Sequence, residues 1–471
     1  MRRYREREIT FEVKRSWRMP DLGRFAPDGG RVEESRDELQ AVYYDTKQRT
    51  LQGLGVTLRR RTGGADAGWH LKIAEGPARI ELQSRAQGGR VPESLTRRLD
   101  GVLAGQELGQ VATITTTRCA SRLLDRQGSL LAEVADDRVS GTGIGEVAAL
   151  ERWREIEVEL GPAGNEELLT KITKGFRKVD AHPAPLQRKL DRLFAQNGSK
   201  PGPRTVNPAV AAYLQEQCRA ILLGDIALRD RPEPEAVHQT RVAIRRLRST
   251  LRNFGSALTL TPEELTTLDD NLRWLAALLS PIRDGDILAK RLRAEVAELP
   301  PERVLGPVVI EIEEVLATER ATAIGKWQQA QSDERYTMLM TTLAGWLTEV
   351  PLAEEQVDGR AVLKTAERKA RRRLDGAADD LDQLHSARKA AKRLRYAGEL
   401  LDGLVPTAGK IVKTAKKQQT VLGDHQDLVV AADFLQRQGA AAGSRAGHNG
   451  FTYGLLLARI EKQAAEIRAG L

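Results

Sequence analysis

Two periods divide the chain. Up to about residue 160, apolar and polar residues alternate singly, as in "VTLRRR", "WHLKI", "ARIELQ", "LAEVADD" and "REIEVEL", and glycine-bearing stretches such as "TGGADAG" separate the runs. A side-chain period of two interrupted by turns predicts antiparallel β-strands. Helical periodicity follows from about Glu166 to Val179 and from Pro185 to Phe194, and then "QNGSKPGPRTVNP" breaks all periodicity with Gly, Pro and Ser. Beyond it, long amphipathic stretches rich in Ala, Leu, Arg and Glu predict an all-helical bundle. The expected organisation is α+β in two domains, residues 1–195 and 207–471, with a linker over 196–206.

The alternation in the first half places charge on one face of many strands. In "REREITFEVK" the residues Glu6, Glu8, Thr10, Glu12 and Lys14 share a face; Arg59 and Arg61 share one in "VTLRRR"; Glu155, Glu157 and Glu159 share one in "REIEVEL". Inward charge is costly unless something pairs with it. Carboxylates gathered with arginines and lysines suit a Mg²⁺ or Mn²⁺ triphosphate, the cation taking oxygen ligands and the basic groups holding phosphate oxygens. A solvated outer face explains any one such strand as well, but not so easily five or six together.

In the helical half, "VHQTRVAIRRLRS" at 237–249 returns at 384–396 as "LHSARKAAKRLRY", 147 residues on. His238 with Arg241, Arg245, Arg246 and Arg248 matches His385 with Arg388, Lys392, Arg393 and Arg395. At about 100° per residue, Arg241, Arg245, Arg248 and Arg252 form one stripe, and Ala243, Ile244, Leu247 and Leu251 lie opposite, ready for a core. Neither copy interleaves an acid, so the like charges repel by a few tenths of a kcal/mol per pair and an anion should relieve them. An acidic motif follows each copy: Arg283, Asp284 and Asp286 in "LSPIRDGDI", Asp424, His425 and Asp427 in "LGDHQDLVV". These acids are expected to orient the arginines rather than bind metal. For His238 and His385, a packed role and a phosphate contact stay equally open.

Charge and length narrow the partner. A net charge of +9 over 471 residues favours a polyanion. An aromatic fraction of 4% leaves few stacking platforms for nucleic acid, and no recognition-helix motif occurs. The basic helices lack the interfacial Trp or Phe of membrane-surface helices. Two cysteines in no ligand spacing, no signal-peptide core and no run of about 18 apolar residues point to a cytoplasmic protein without a membrane span.

The first half resembles the CYTH family of triphosphate tunnel metalloenzymes over roughly residues 1–195. "FEVKRSWRMPDL" matches the family's continuation after its Glu-x-Glu-x-Lys signature, which assigns Glu6 and Glu8 to the two metal-binding glutamates and leaves Thr10 at the lysine position. Lys14 is on the same strand face but about 13 Å further along at the strand rise, too far to substitute. Other matches are "YYDT" at 43–46, Arg59 and Arg61, Lys72, Arg79 and Glu81, Arg118 and Arg122, Glu133 and Asp137, and the Glu155, Glu157, Glu159 strand, with Lys189 near the family's C-terminal helix position. The resemblance implies an eight-stranded closed β-tunnel and metal-dependent hydrolysis of a triphosphate or short polyphosphate, by positioning and charge neutralisation.

The second half, roughly 207–471, resembles the CHAD domain, the conserved-histidine α-helical domain. The resemblance implies binding of inorganic polyphosphate along a basic groove between the halves of a duplicated bundle, and association with polyphosphate granules. His238, Arg241, Arg245, Arg246, Arg248 and Arg252 of the first copy, His385, Arg388, Lys389, Lys392, Arg393 and Arg395 of the second, and Lys410, Lys413 and Lys417 are the implied phosphate contacts. Two readings follow: a divalent-metal-dependent triphosphatase joined to a polyphosphate-binding bundle, or a non-catalytic polyphosphate reader whose tunnel is impaired at Thr10.

Overall fold

The computed structural model describes residues 2–75, 78–85, 88–144, 150–184, 188–194, 205–376, 380–443 and 449–470, with the backbone alone described for 2–6, 75, 78 and 79. The chain forms two compact units, Met1–Lys200 and Pro201–Leu471. Most of the expected linker lies outside the described residues. Among the described residues no helix is long and apolar enough to cross a membrane.

The first unit is built on one antiparallel sheet. Its strands are β1 (Arg2–Glu6), β2 (Glu8–Glu12), β3 (Arg31–Asp45), β4 (Thr57–Thr62), β5 (Gly68–Glu75), β6 (Ala78–Ser84), β7 (Gly109–Leu124), β8 (Leu130–Gly143), β9 (Leu150–Leu160) and β10 (His182–Pro183). The spatial order is β1-β6-β5-β4-β3-β7-β8-β9-β2-β10. Its ends meet in sequence, because β1 pairs with β6 while β2, one residue on, pairs with β9. The N-terminal segment thus closes the sheet into a ring. Counted as one interrupted strand it makes eight, as expected, and β10 is a two-residue addition on β2. The tight β4–β5 connection explains a glycine: Gly63 has φ +81°, and a Cβ there would lie 2.1 Å from the Glu38 carbonyl oxygen.

Cross-strand partners point to the same side of a sheet, so the register fixes which residues share the interior. Glu8 opposes Glu159 and Thr10 opposes Glu157; Glu133 opposes Glu159 and Asp137 opposes Glu155; Arg118 opposes Asp137 and Arg122 opposes Glu133. On the far side of the ring Arg59 opposes His70, and Lys72 opposes Glu81. The alternate residues form an apolar outer face. Phe11, Val134, Ile156 and Val158 pack there with Ile172 and Phe176 of α3 (Glu166–Arg177), following α1 (Thr50–Leu54) and α2 (Glu93–Leu103) in the chain. Asn165 caps α3 by accepting from Leu168 N at 2.9 Å. A short α4 (Lys189–Leu193) seats Leu190 and Leu193 against Tyr43, Ile114, Val139 and Trp153 on the ring's inward face.

The second unit is helical: α5 (Val206–Asp230), α6 (Pro234–Phe254), α7 (Pro262–Ala297), α8 (Val308–Ala330), α9 (Glu334–Gly345), α10 (Gly359–Asp375), α11 (Leu381–Leu400), α12 (Ala408–Gly443) and α13 (Phe451–Ala469). The duplication is visible in the elements. Two sets of four, α5–α8 and α10–α13, flank α9, and the third member of each, α7 and α12, is 36 residues long. Start signals are explicit: Thr261 and Glu264 form a capping box before α7, and Asp380 caps α11. Neighbours in each set pack consecutively, and across the sets α6 packs on α11 and α7 on α12. The two histidine helices are therefore partners. Ala243, Ile244, Leu247 and Leu251 are buried, as the wheel requires.

Candidate functional site

Inside the β ring, acids and bases meet directly. Arg118 Nε and an η nitrogen donate to the two Asp137 oxygens at 2.8 and 2.7 Å, and Arg118 also bonds Glu157. From α4, Lys189 Nζ lies 2.9 Å from Asp137 Oδ2 and 2.6 Å from Glu155 Oε1, and it donates to Glu157. Leu190 and Leu193 are the anchors that aim it. Burial opposes charge on Lys189, but Glu155, Glu157 and Asp137 raise its pKa and keep the ammonium. Burial likewise opposes charge on Glu157, yet Lys189 and Arg118 hold it well below the usual carboxylate range. Glu155 is raised, chiefly by burial. Asp137, Glu155 and Glu157 each offer an oxygen within 4.8 Å of the others. Glu155 Oε1 keeps no aligned hydrogen-bond donor despite the ammonium beside it. Three hard carboxylates with such an oxygen fit a divalent cation.

The other expected tunnel residues divide around this trio. Glu8 lies 3.9 Å from Lys72 Nζ. Glu159, beside them, is pushed up to about 7 by burial, with Lys72 opposing and Glu8 adding to the rise. Arg59 reaches Tyr43 Oη at 3.4 Å and Arg61 reaches Asp66 at 2.5 Å, but the Nε of each is buried without an acceptor. Arg122 pairs with Glu133 at 3.0 Å in a more exposed place. Of the seven carboxylates expected on metal, then, the structure gathers three. Glu133 is engaged by Arg122, Glu8 and Glu159 sit around Lys72, and the side chain of Glu6 lies outside the described residues, as does that of Arg79. Glu12 keeps to the inner face, opposing Glu155 at the end of β2 and pairing with Arg192, but the expectation that Lys14 continues that face needs correction: Lys14 lies beyond the strand and pairs with Asp180 at 3.8 Å with its side chain 84% exposed. Sequence reading also missed the buried His70, whose Nδ1 meets Glu81 at 2.7 Å and whose Nε2 meets the Asp66 carbonyl at 2.8 Å.

In the helical unit the acids that meet the basic stripes come from α7 and from the last turn of α11, beyond the repeated stretch, and they take only some of the cations. Arg241 donates to Asp284 at 2.8 Å and to the Ser280 carbonyl at 3.0 Å. Arg248 and Arg252 share Asp269, at 3.0 and 2.6 Å. Arg246 and Arg395, expected on phosphate, share Glu399 at 3.1 and 2.7 Å and flank the Tyr396 ring. Arg245, Arg283, Arg388 and Lys392 have no hydrogen bond or ion pair among the described residues, and the Nε of all three arginines is buried without an acceptor. Burial and the positive Arg388, Arg245 and Arg241 push the Lys392 ammonium down to about 7. His238 belongs with this group, its pKa lowered by burial, Arg283 and Arg245. His385 is held instead by Gln426, Nδ1 to Oε1 at 3.0 Å. Lys389, Lys410, Lys413 and Lys417 are exposed. Arg283 was quoted with its acidic motif but not counted among the phosphate contacts; packing of α6 across α7 is what brings it in.

Known proteins divide the chain in the same way. A CYTH domain model matches residues 6–181 and a CHAD domain model matches 212–436. Two curated sequences of Mycobacterium tuberculosis, the uncharacterized proteins MT2285 (strain CDC 1551) and Rv2226 (strain H37Rv), are each 34% identical over 96% of this chain and 92% of their own length. Among solved structures, the CHAD domain of the plant Ricinus communis is 29% identical, covering 59% of this chain and 94% of that one with a TM-score of 0.46. PptA from Streptomyces chartreusis is 21% identical, covering 56% and 97%, with a TM-score of 0.47. With its closed β ring, its duplicated histidine helices and these full-length relatives, the chain belongs to the CYTH–CHAD proteins.

Proposed function

We propose that this protein binds inorganic polyphosphate through its helical unit and hydrolyses a triphosphate or short polyphosphate in its tunnel with Mg²⁺ or Mn²⁺. One observation carries the binding half: Arg245, Arg283, Arg388 and Lys392 are brought together with three buried guanidinium nitrogens lacking acceptors. A buried donor left unsatisfied costs about 1–3 kcal/mol. A chain of phosphates supplies many acceptors and the opposite charge at once.

For the tunnel, CYTH domains are metal-dependent and bind triphosphate-containing substrates. A divalent cation at Asp137, Glu155 and Glu157 would supply charge neutralisation and an activated water. The chain's own part is positioning. Arg59 and Arg61 have Nε–H groups free to meet phosphate oxygens, and Lys72 lies on the same inward face. Lys189 stands on the same three carboxylates. That contact favours a second reading, a polyphosphate reader whose tunnel does not turn over.

Phosphate release from a panel of triphosphates and polyphosphate lengths, with Mg²⁺ or Mn²⁺, separates the two. Metal-dependent release that is lost in Glu157→Gln supports the enzyme. Binding of polyphosphate without release from any substrate supports the reader.

A further inference from the structure

The basic stripe of α6 does not end at the four central cations. Arg241, Arg245, Arg248 and Arg252 recur at spacings of four, three and four, so they lie along one side of the helix, and the helical rise carries the stripe over ~16 Å. Arg241 and Arg245 stand at the central group with Arg388 and Lys392. Arg248 and Arg252 stand at the other end, where α10 and α11 contribute Lys369, Arg372, Arg373 and Arg393. Asn253 Nδ2 donates to the Arg393 carbonyl at 3.4 Å, which joins the end of α6 to α11 at this point.

The six cations are close enough to perturb one another. Arg393 lowers the Lys369 pKa, with burial, Arg373, Arg372 and Arg252 adding to the effect. Arg393 is itself lowered by burial and then by Arg252, Arg373 and Arg248, with Asp269 opposing. Asp269 is already shared by Arg248 and Arg252. Lys369, Arg372, Arg373 and Arg393 form no ion pair among the described residues, whereas Arg371 beside them reaches Asp375 at 3.8 Å. Solvated surface arginines are ordinary. Here six cations from three helices lie together, only Arg248, Arg252 and Arg393 have Asp269 beside them, and a further anion would offset the repulsion that is left.

We propose that this lateral patch is a second polyphosphate site that continues the central one along α6, so that a short chain fills the centre and a long chain occupies both. The proposal rests on the polyphosphate reading above and assigns α10 a part in it. Once a chain is held at the centre, its contact with the patch is intramolecular, so affinity should step up when the chain becomes long enough to span both. Each extra phosphate contact should also steepen the dependence on salt.

The test uses the full chain with Lys369→Gln, Arg372→Gln and Arg373→Gln together, titrated by calorimetry with tripolyphosphate and with long-chain polyphosphate, with duplex DNA as competitor. Tripolyphosphate should bind the variant as it binds the parent, while long-chain affinity should fall by about tenfold or more with a shallower salt slope. Without polymer the variant should melt higher, because like charges have been removed. The proposal is overturned if long-chain affinity is unchanged, if short and long chains weaken equally, if DNA displaces polyphosphate at equal charge, or if the variant melts lower. If the unmodified chain binds neither phosphate polymer, the parent reading fails and this one falls with it.

Discussion

Arg118 in the tunnel and Arg388 in the bundle both lie largely out of solvent on regular elements, yet their surroundings are opposite. Arg118 donates to Asp137 through two nitrogens and to Glu157, and these neighbours raise its pKa against the pull of burial. Arg388 Nε has no acceptor, and burial lowers its pKa while Arg245 and Arg241 add to the fall against Asp427 and Asp284. The contrast extends to the lysines, since Lys189 touches three carboxylates and Lys392 none within 4 Å among the described residues. A cation already matched by fixed acids contributes to its own fold. One left among other cations is matched only when a ligand arrives.

This difference is broken most severely by removing one member of the matched set. Arg118→Met should destabilise the tunnel by about 3–5 kcal/mol, the usual cost of stranding buried partners. Arg388→Gln should leave the ligand-free bundle unchanged or slightly more stable. Denaturant unfolding of the full chain checks both, and a comparable loss in the two variants would erase the contrast.

Lys189→Met sharpens it. With the ammonium gone, Asp137, Glu155 and Glu157 should repel one another, and Mg²⁺ or Mn²⁺ should bind at least about tenfold tighter, the equivalent of 1.4 kcal/mol. Calorimetric metal titration reads this directly. Unchanged metal affinity would mean that Lys189 and the cation do not compete.

Lys392 predicts a pH dependence. Its folded value is about 7 against an ordinary 10.5, so between these the unfolded chain holds a proton that the folded, ligand-free chain lacks. Stability without ligand should therefore rise with pH across that window. Polyphosphate should draw the proton back, so binding near neutral pH takes up a proton and weakens as pH rises above 7. The charged groups around it are Arg241 and Arg245 of α6, Arg388 of α11 and Asp427 of α12. Binding enthalpy measured in buffers of different ionisation enthalpy should show the uptake, and Lys392→Met should abolish it.

The smallest effect is expected from Thr10→Lys. Thr10 faces Glu157 across the β2–β9 pair, and Glu157 already meets Lys189 and Arg118. The added lysine should change phosphate release by less than about tenfold, or 1.4 kcal/mol in the barrier. A larger gain would show that the signature lysine does work that Lys189 does not.

Much of this was legible in the chain. A period of two with charge on one face yields a ring whose interior is charged, because strand alternation is a strictly local property, and glutamates at 155, 157 and 159 must share a side. The repeated "VHQTRVAIRRLRS" likewise fixed the two helices and their buried Ala243, Ile244, Leu247 and Leu251. What the repeat could not show is which cations are already satisfied. That depends on Asp269, far from either motif, on Asp284 and Glu399, which lie within or just beyond one but whose partners the spacing does not name, and on how α6 crosses α7 and α11. Register within one helix is local, whereas pairing between helices is set by packing. The place of Lys189 was equally hidden, since it depends on where Leu190 and Leu193 find an apolar mouth in the ring.

The central claim is that the bundle's unmatched cations await a phosphate polymer. It is tested most directly by titrating long-chain polyphosphate into the full chain and into the Arg245→Gln, Arg388→Gln double variant by calorimetry at fixed low salt. Two charge-assisted contacts at about 1.5–3 kcal/mol each predict a loss of at least about 100-fold in affinity, with the variant as stable as the parent before polymer is added. Equal affinity in the two proteins would contradict the account.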